Sequence, residues 1–351
     1  YLSDSSSPAA LTSAFVARGA VKSFAARTDF YSAFRNKGLT SFPTIDVSNG
    51  VGFAAAWEGF KGTTFPALNF ASATSLSSAW INSTSLTSVP AIQAPVCTNF
   101  TSAWNGNTAL ATIDPNANFG ESATGVNFLN VFRACTALES LPAGLDMSRG
   151  DDFRTAFYNC PSLTTIGSGV LLGTANGTAT VNFTQAFLDC TGLTELPAGL
   201  DLSQGSSFSS AFNGCASLTT IGTGVLLGTA SSNVNFISAF RTSGLTALPA
   251  GLDMSQGSLF NATFRDCTSL ATIGTGVLLG TANATATVNY ADTFNGCTNL
   301  TALPAGLDLS QGSDFNNAFN GCTSLTTIGT GVLLGTASTS VNFLNAFRAC
   351  T

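Results

Sequence analysis

The chain has 351 residues, 44% of them hydrophobic and only 9% charged, with a net charge of −6. It therefore has ample material for a core, but a surface made of hydroxyls and amides in place of the usual quarter of charged residues. It has no basic cluster, no apolar run near the ~20 residues that span a bilayer and no histidine, which argues against a nucleic-acid partner, a membrane span and the commonest general base or metal ligand.

From the N-terminus, Tyr1 stands where an initiator Met would be, so the start is expected to be processed or incomplete. The frame F-x-x-x-F-x-x-C organises everything that follows, loosely at first, in Leu11/Phe15, Phe30/Phe34, Phe53/Trp57, Leu76/Trp80 and Phe100/Trp104. From Phe128/Phe132/Cys135 to Phe343/Phe347/Cys350 it is strict, with Tyr290 replacing one Phe and Ser243 one Cys. Residues 1–107 are read as degenerate coils, and 108–351 as regular coils of the same solenoid, expected to continue past Thr351. Repetition at a fixed period decides the fold before any other signal.

Two units alternate in the second half. The short one reads "CTGLTELPAGLDLSQGSSF" from Cys190, the long one "CASLTTIGTGVLLGTASSNVNF" from Cys215. In both, F-x-x-A-F-x-x-C places apolar groups at i, i+3, i+4 and i+7, which predicts two turns of helix, and the Ser, Asn or Asp in front suits an N-cap. L-x-x-[IL] and G-[LV]-x-[LM] are read as short extended segments broken by Pro or Gly. Such a unit cannot bury its apolar side alone, and stacked neighbours do it. The expected fold is an α/β repeat solenoid of about fourteen coils, parallel strands on one side and short helices on the other.

The glycines of "IGTGVLLGTA", Ile221 to Ala230, superficially suit a phosphate loop. The stretch recurs at Ile273 and Ile328, and as IGSGVLLGTA at Ile166, always at one offset from Cys and with no long helix after it. It is read as a structural rung whose glycines bend the chain.

The stretch "LDLSQGSSFSSAFNGCASLTTI" from Leu200 resembles the leucine-rich repeat of bacterial surface proteins, the BspA-like class, with Phe where many members have Met. The resemblance is strong over Phe100 to Thr351 and loose over Leu11 to Asn99. It implies a leucine-rich-repeat-like solenoid displayed on a cell surface or a virion, where it binds or builds.

No catalytic, cofactor or metal residues are assigned. Asp146, Asp201, Asp253 and Asp308 recur in every second coil, about 9.6 Å apart, too far to share a proton or an ion. Eight cysteines share one coil position and are read as reduced, inward-facing thiols, although stacked neighbours would lie within disulfide reach; Cys97, off register, is expected to be the accessible one. The eleventh position after Cys should face outward, giving a candidate contact ribbon of Leu171, Asp201, Leu226, Asp253, Leu278, Asp308 and Leu333. Insertions in the long units, Thr174 to Val181, Thr229 to Val234, Thr281 to Val288 and Thr336 to Val341, should form a fringe on one edge. The expected function is a non-enzymatic structural or adhesive module of an extracellular appendage, filament or virion surface. It would bind a protein or a cell-surface glycan, self-assemble or attach to a larger particle. The alternative is a secreted bacterial adhesin that binds host protein or glycan.

Overall fold

The computed structural model describes residues 28–177, 180–282 and 287–350. The copy at Leu11/Phe15 and parts of the fringe, 178–179 and 283–286, lie outside them. Within the described residues the chain winds as a succession of very short segments, each pairing in parallel with its counterpart one coil away. Each regular coil has three such segments. In the coil from Cys215 they are Thr220–Ile221, Leu226–Leu227 and Val234–Asn235. The third rank forms a continuous eight-stranded parallel sheet, running from Val126–Asn127 to Gly312–Asp314. Sequence reading missed this rank, because two residues between a loop and a Phe carry no periodicity of their own.

The fold is a parallel-strand β-solenoid of about ten turns. The expectation of fourteen coils is corrected: the first strand rank starts at Ser88–Val89 and ends at Thr327–Ile328. The copies at Phe30 and Phe53 have no paired strands, only isolated bridges such as Asp29↔Gly52 and Gly52↔Ser75, and they are stacked on their neighbours through turn-ladder hydrogen bonds such as Phe34 N–H to Ala56 O and Trp57 N–H to Ala79 O.

The expected short helices are also corrected; no helix is present among the described residues. Over Phe183–Cys190 the backbone forms overlapping turns that begin every second residue: Ala186 N–H donates to Phe183 O, Leu188 N–H to Gln185 O, and Cys190 N–H to Phe187 O. The intervening N–H groups, on Phe183, Gln185, Phe187 and Asp189, donate to the next coil, at Ser207, Ser209, Ala211 and Asn213 O, over 2.8–2.9 Å. A helix would turn every donor beyond its first turn back onto itself. Here half of them tie coil to coil, which makes the ladder possible. The geometry requires left-handed backbone at two places per segment, Gln185 (φ 58°) and Asp189 (φ 59°) in this copy and Ser210 (φ 54°) and Gly214 (φ 74°) in the next.

The residue ahead of each segment, expected as a helix N-cap, does a related task. The Asn182 side chain accepts the N–H of Thr184 over 2.9 Å, and Asn127, Asp152, Asn235 and Asn289 do the same for the residue two further on. These are Asx turns, which mimic a backbone turn.

Phe183, Ala186, Phe187 and Cys190 are all buried. They build two columns of stacked rings along the rod. One runs Phe128, Phe153, Phe183, Phe208, Phe236, Phe260, Tyr290, Phe315, Phe343 at 5.0–5.4 Å between centroids. The other continues from Trp57, Trp80 and Trp104 through Phe132 to Phe347. Centroids slightly farther apart than the roughly 4.8 Å coil spacing mean offset stacking, the arrangement favoured by the ring quadrupole.

The glycine-rich stretch is a rung. A Cβ on Gly222 would come within 2.5 Å of the backbone N of Ala198 in the coil below, so no side chain fits. Gly224, at φ +73°, lies on the similarly left-handed Gly199 of the short unit.

Candidate interaction surface

The ribbon is built by the second strand rank. Leu171 pairs with Asp146, Leu226 with Asp201, Leu278 with Asp253 and Leu333 with Asp308. Because strand side chains alternate, the following residues Leu172, Leu227 and Leu279 are buried, while the four ribbon leucines are 37–41% exposed. Each Asp first serves its own turn: one carboxylate oxygen accepts an N–H from Ser148, Ser203, Ser255 or Ser310 over 2.8–2.9 Å. No other protein donor reaches these carboxylates among the described residues. In the earlier coils the ribbon is made of amides, with Asn69 bridged to Gln93 and Gln93 paired with Asn118.

The cations are confined to one side. Every described Lys and Arg except Arg149 lies on the turn ladder or just beyond it, together with acids such as Glu58, Asp189, Asp266 and Asp292, whereas Glu139, Asp146, Glu195, Asp201, Asp253 and Asp308 lie on the strand-bearing side. The long-unit loops leave the rod at one offset, anchored alike: Ala175, Ala230, Ala282 and Ala337 N–H donate to Ser148, Ser203, Ser255 and Ser310 O of the coil below.

The cysteine row is an internal feature. Each ladder thiol donates to the carbonyl of the second ring of the preceding coil, as in Cys160 to Phe132 O at 3.2 Å, Cys215 to Phe187 O at 3.2 Å and Cys322 to Phe294 O at 3.1 Å. All nine cysteines are free thiols in this structure. Burial pushes the thiols up, Cys160 and Cys215 to about 12. The expectation that Cys97 is accessible is corrected: its side chain is fully buried, its Sγ lies 3.6 Å from Asn99 O, and burial raises it to about 12. Only Cys350, in the last coil, is partly exposed.

One concavity was not foreseen. The coil after Ile113 departs from both unit types, reading "DPNANFGES" from Asp114, and beside it opens a cavity of about 380 Å³. Its polar lining is Gln93, Asn116, Asn118, Glu121 and Asp146. The loop is held by Asp114, whose carboxylate accepts both the backbone N–H and the side-chain amide of Asn116. The break in the repeat was the sequence signal that could have located it. No group of three or more His, Cys, Asp or Glu side chains among the described residues could hold a metal ion.

No family model matches the chain, and no curated protein matches it. Among solved structures it is similar to a leucine-rich repeat protein from Bacteroides ovatus, at 17% identity over 86% of this chain and 76% of that one, with a TM-score of 0.45. A leucine rich cell surface protein from Faecalibacterium prausnitzii matches at 18% identity over 77% and 79%, with a TM-score of 0.35. An internalin from Listeria monocytogenes matches at 14% over 84% and 71%, with a TM-score of 0.26. These neighbours are leucine-rich-repeat proteins. No helix among the described residues is long and apolar enough to cross a membrane.

Proposed function

We propose that this chain is a non-enzymatic repeat module displayed outside the cell, on a surface, filament or virion, which holds a protein or glycan partner along its strand-bearing side. The observation that carries the reading is the ribbon: leucines 37–41% exposed at every second coil, each beside an in-register Asp. A solenoid presents such a repeated row to an extended partner without any change in its own backbone. The carboxylates are too far apart within their row for acid–base pairing, about 9.6 Å at two coil spacings, so the row suits recognition better than chemistry. The loop fringe on the long units is a second repeated feature available to the same partner.

The test is a variant with Leu171, Leu226, Leu278 and Leu333 all changed to Ser. Its circular dichroism and unfolding midpoint should stay near the parent's, because the side chains are partly solvated already. Its attachment to cells or particles that bind the parent chain should weaken by about a thousandfold, on the basis of about 1 kcal/mol for each of the four leucines that no longer buries against the partner. Unchanged attachment by the folded variant would remove the ribbon from the function.

A further inference from the structure

We propose that the cavity beside the 114–121 loop is a binding site for a neutral, hydroxyl-rich saccharide. The inference deepens the reading above by naming a ligand class at one end of the same ribbon. The cavity, about 380 Å³, is bordered by the non-repeating loop and by Gly144 and Asp146 of the next coil, and this volume falls among small-molecule sites.

The unspent hydrogen-bonding atoms define the ligand. Asn118 Nδ2 donates to Glu121 Oε2 over 2.7 Å, and Asn118 Oδ1 accepts the Glu121 N–H over 3.1 Å. Among the described residues this leaves Glu121 Oε1 without a protein donor. Asp146 uses Oδ1 for Ser148 and leaves Oδ2. Gln93 donates through Nε2 to Asn116 O and Ala91 O, which leaves its Oε1. An amide nitrogen carries two N–H groups, and Asn116 and Asn118 each spend one on a carboxylate. The lining thus offers acceptors from Gln93, Glu121 and Asp146 together with donors from Asn116 and Asn118. A sugar hydroxyl donates and accepts at once and satisfies both sets. An ammonium group only donates; it would leave the amide N–H groups unanswered and fill little of the volume.

The site also has a direction. Asn69, Gln93, Asn118 and Asp146 occupy one strand position in four successive coils, a polar track of about 14 Å at the spacing of paired strands. A linear oligosaccharide laid along the rod would keep hydroxyls within reach of each.

Calorimetric titration of the whole chain with soluble cello-, manno- and chito-oligosaccharides, and separately with oligolysine, tests the inference. The expected result is saturable binding of at least one oligosaccharide, little affected by added salt. Asp146→Asn keeps the oxygen that closes the turn with Ser148 but converts the second oxygen into a donor, so it should weaken binding about tenfold without loss of folding. Glu121→Gln should do the same, and Arg348→Ala, exposed on the turn ladder of the last coil and outside both ribbon and cavity, should leave the affinity unchanged. Absence of binding by every sugar, sugar binding indifferent to both substitutions, or oligolysine binding that collapses with salt in place of sugar binding would each overturn the site. Such a failure is separable from that of the ribbon, because attachment of the four-Ser variant is read independently of sugar in solution.

Discussion

Cys267 Sγ lies 3.0 Å from Phe240 O and 3.3 Å from Ser243 Oγ, the residue that takes the cysteine's place one coil earlier. Ser and Cys interchange here because the buried position takes a small side chain with a polar hydrogen: the cysteine reaches the carbonyl of the coil before, which also accepts the Ser243 N–H within its own turn, and the serine meets the cysteine of the coil after. Sequence alone located the inward row from its register with the rings. It did not show the carbonyl partner, because that partner lies in another coil, 27 to 33 residues away along the chain. It misplaced Cys97, which has no register to read. Burial holds the thiols protonated, raising Cys267 to about 11 and Cys215 to about 12, against about 8.5 for an unfolded thiol. Above that unfolded value the native state binds more protons than the unfolded state, so stability is full below about pH 8.5 and is lost as pH rises towards the folded values. Denaturation midpoints should therefore fall on alkaline titration, and Cys215→Ser with Cys267→Ser should flatten that fall. At pH 8 the native chain should alkylate at Cys350 alone, and the denatured chain at all nine thiols without reductant. Labelling only after reduction would mean disulfides in the row.

At the scale of the element, the error of reading F-x-x-A-F-x-x-C as a helix has a physical origin. Helical periodicity places i, i+3, i+4 and i+7 on one side, and overlapping turns that restart every second residue bury the same four positions, as at Phe208, Ala211, Phe212 and Cys215. Hydrophobic pattern cannot separate the two. The separating signal lay in the polar positions: the seventh residue is Gly in Gly106, Gly214, Gly296 and Gly321 and Asn or Asp in Asn159, Asp189 and Asp266, with Ala134, Thr242 and Ala349 as exceptions, all left-handed, whereas in a helix interior Gly, Asn and Asp are poor choices. The extended L-x-x-[IL] and G-[LV]-x-[LM] segments were legible because Pro and Gly punctuate them; the Val-Asn rank was not. Ser210 gives a test whose sign differs between the two structures. In a helix interior Ser210→Gly lowers stability by some tenths of a kcal/mol. At φ 54° it relieves a strain of about 1–2 kcal/mol per non-Gly residue, less Gly's entropic cost, so the unfolding midpoint should rise, and Ser210→Val should lower it.

At the scale of the whole molecule, the rod has one long core in which each coil touches only its neighbours. Long-range order comes from repetition of the same packing, and for that reason the solenoid was readable from the sequence while the cavity, which exists in a single irregular coil, was not. The nearest-neighbour character has an energetic signature. Phe240 and Phe264 stack at 5.6 Å with an interplanar angle of 10°, whereas Phe157 and Phe294 are separated by the intervening rings Phe187, Phe212, Phe240 and Phe264 of the same column. Each single change to Ala should cost about 3–5 kcal/mol, because the ring is buried and the backbone ladder keeps the cavity from closing. In the double variant of Phe157 and Phe294 the two costs should add to within about 0.5 kcal/mol, since the sites share no partner. In the double variant of Phe240 and Phe264 they should fall short of additivity by about 0.5–1.5 kcal/mol, the value of a stacked pair beyond its area, because the first truncation has already abolished the stacking that the second would remove. Equilibrium unfolding of the two double variants beside their singles measures both couplings. Equal coupling in the near and far pairs would mean that the rod responds as one globular core, and the column would then be geometry without nearest-neighbour energetics.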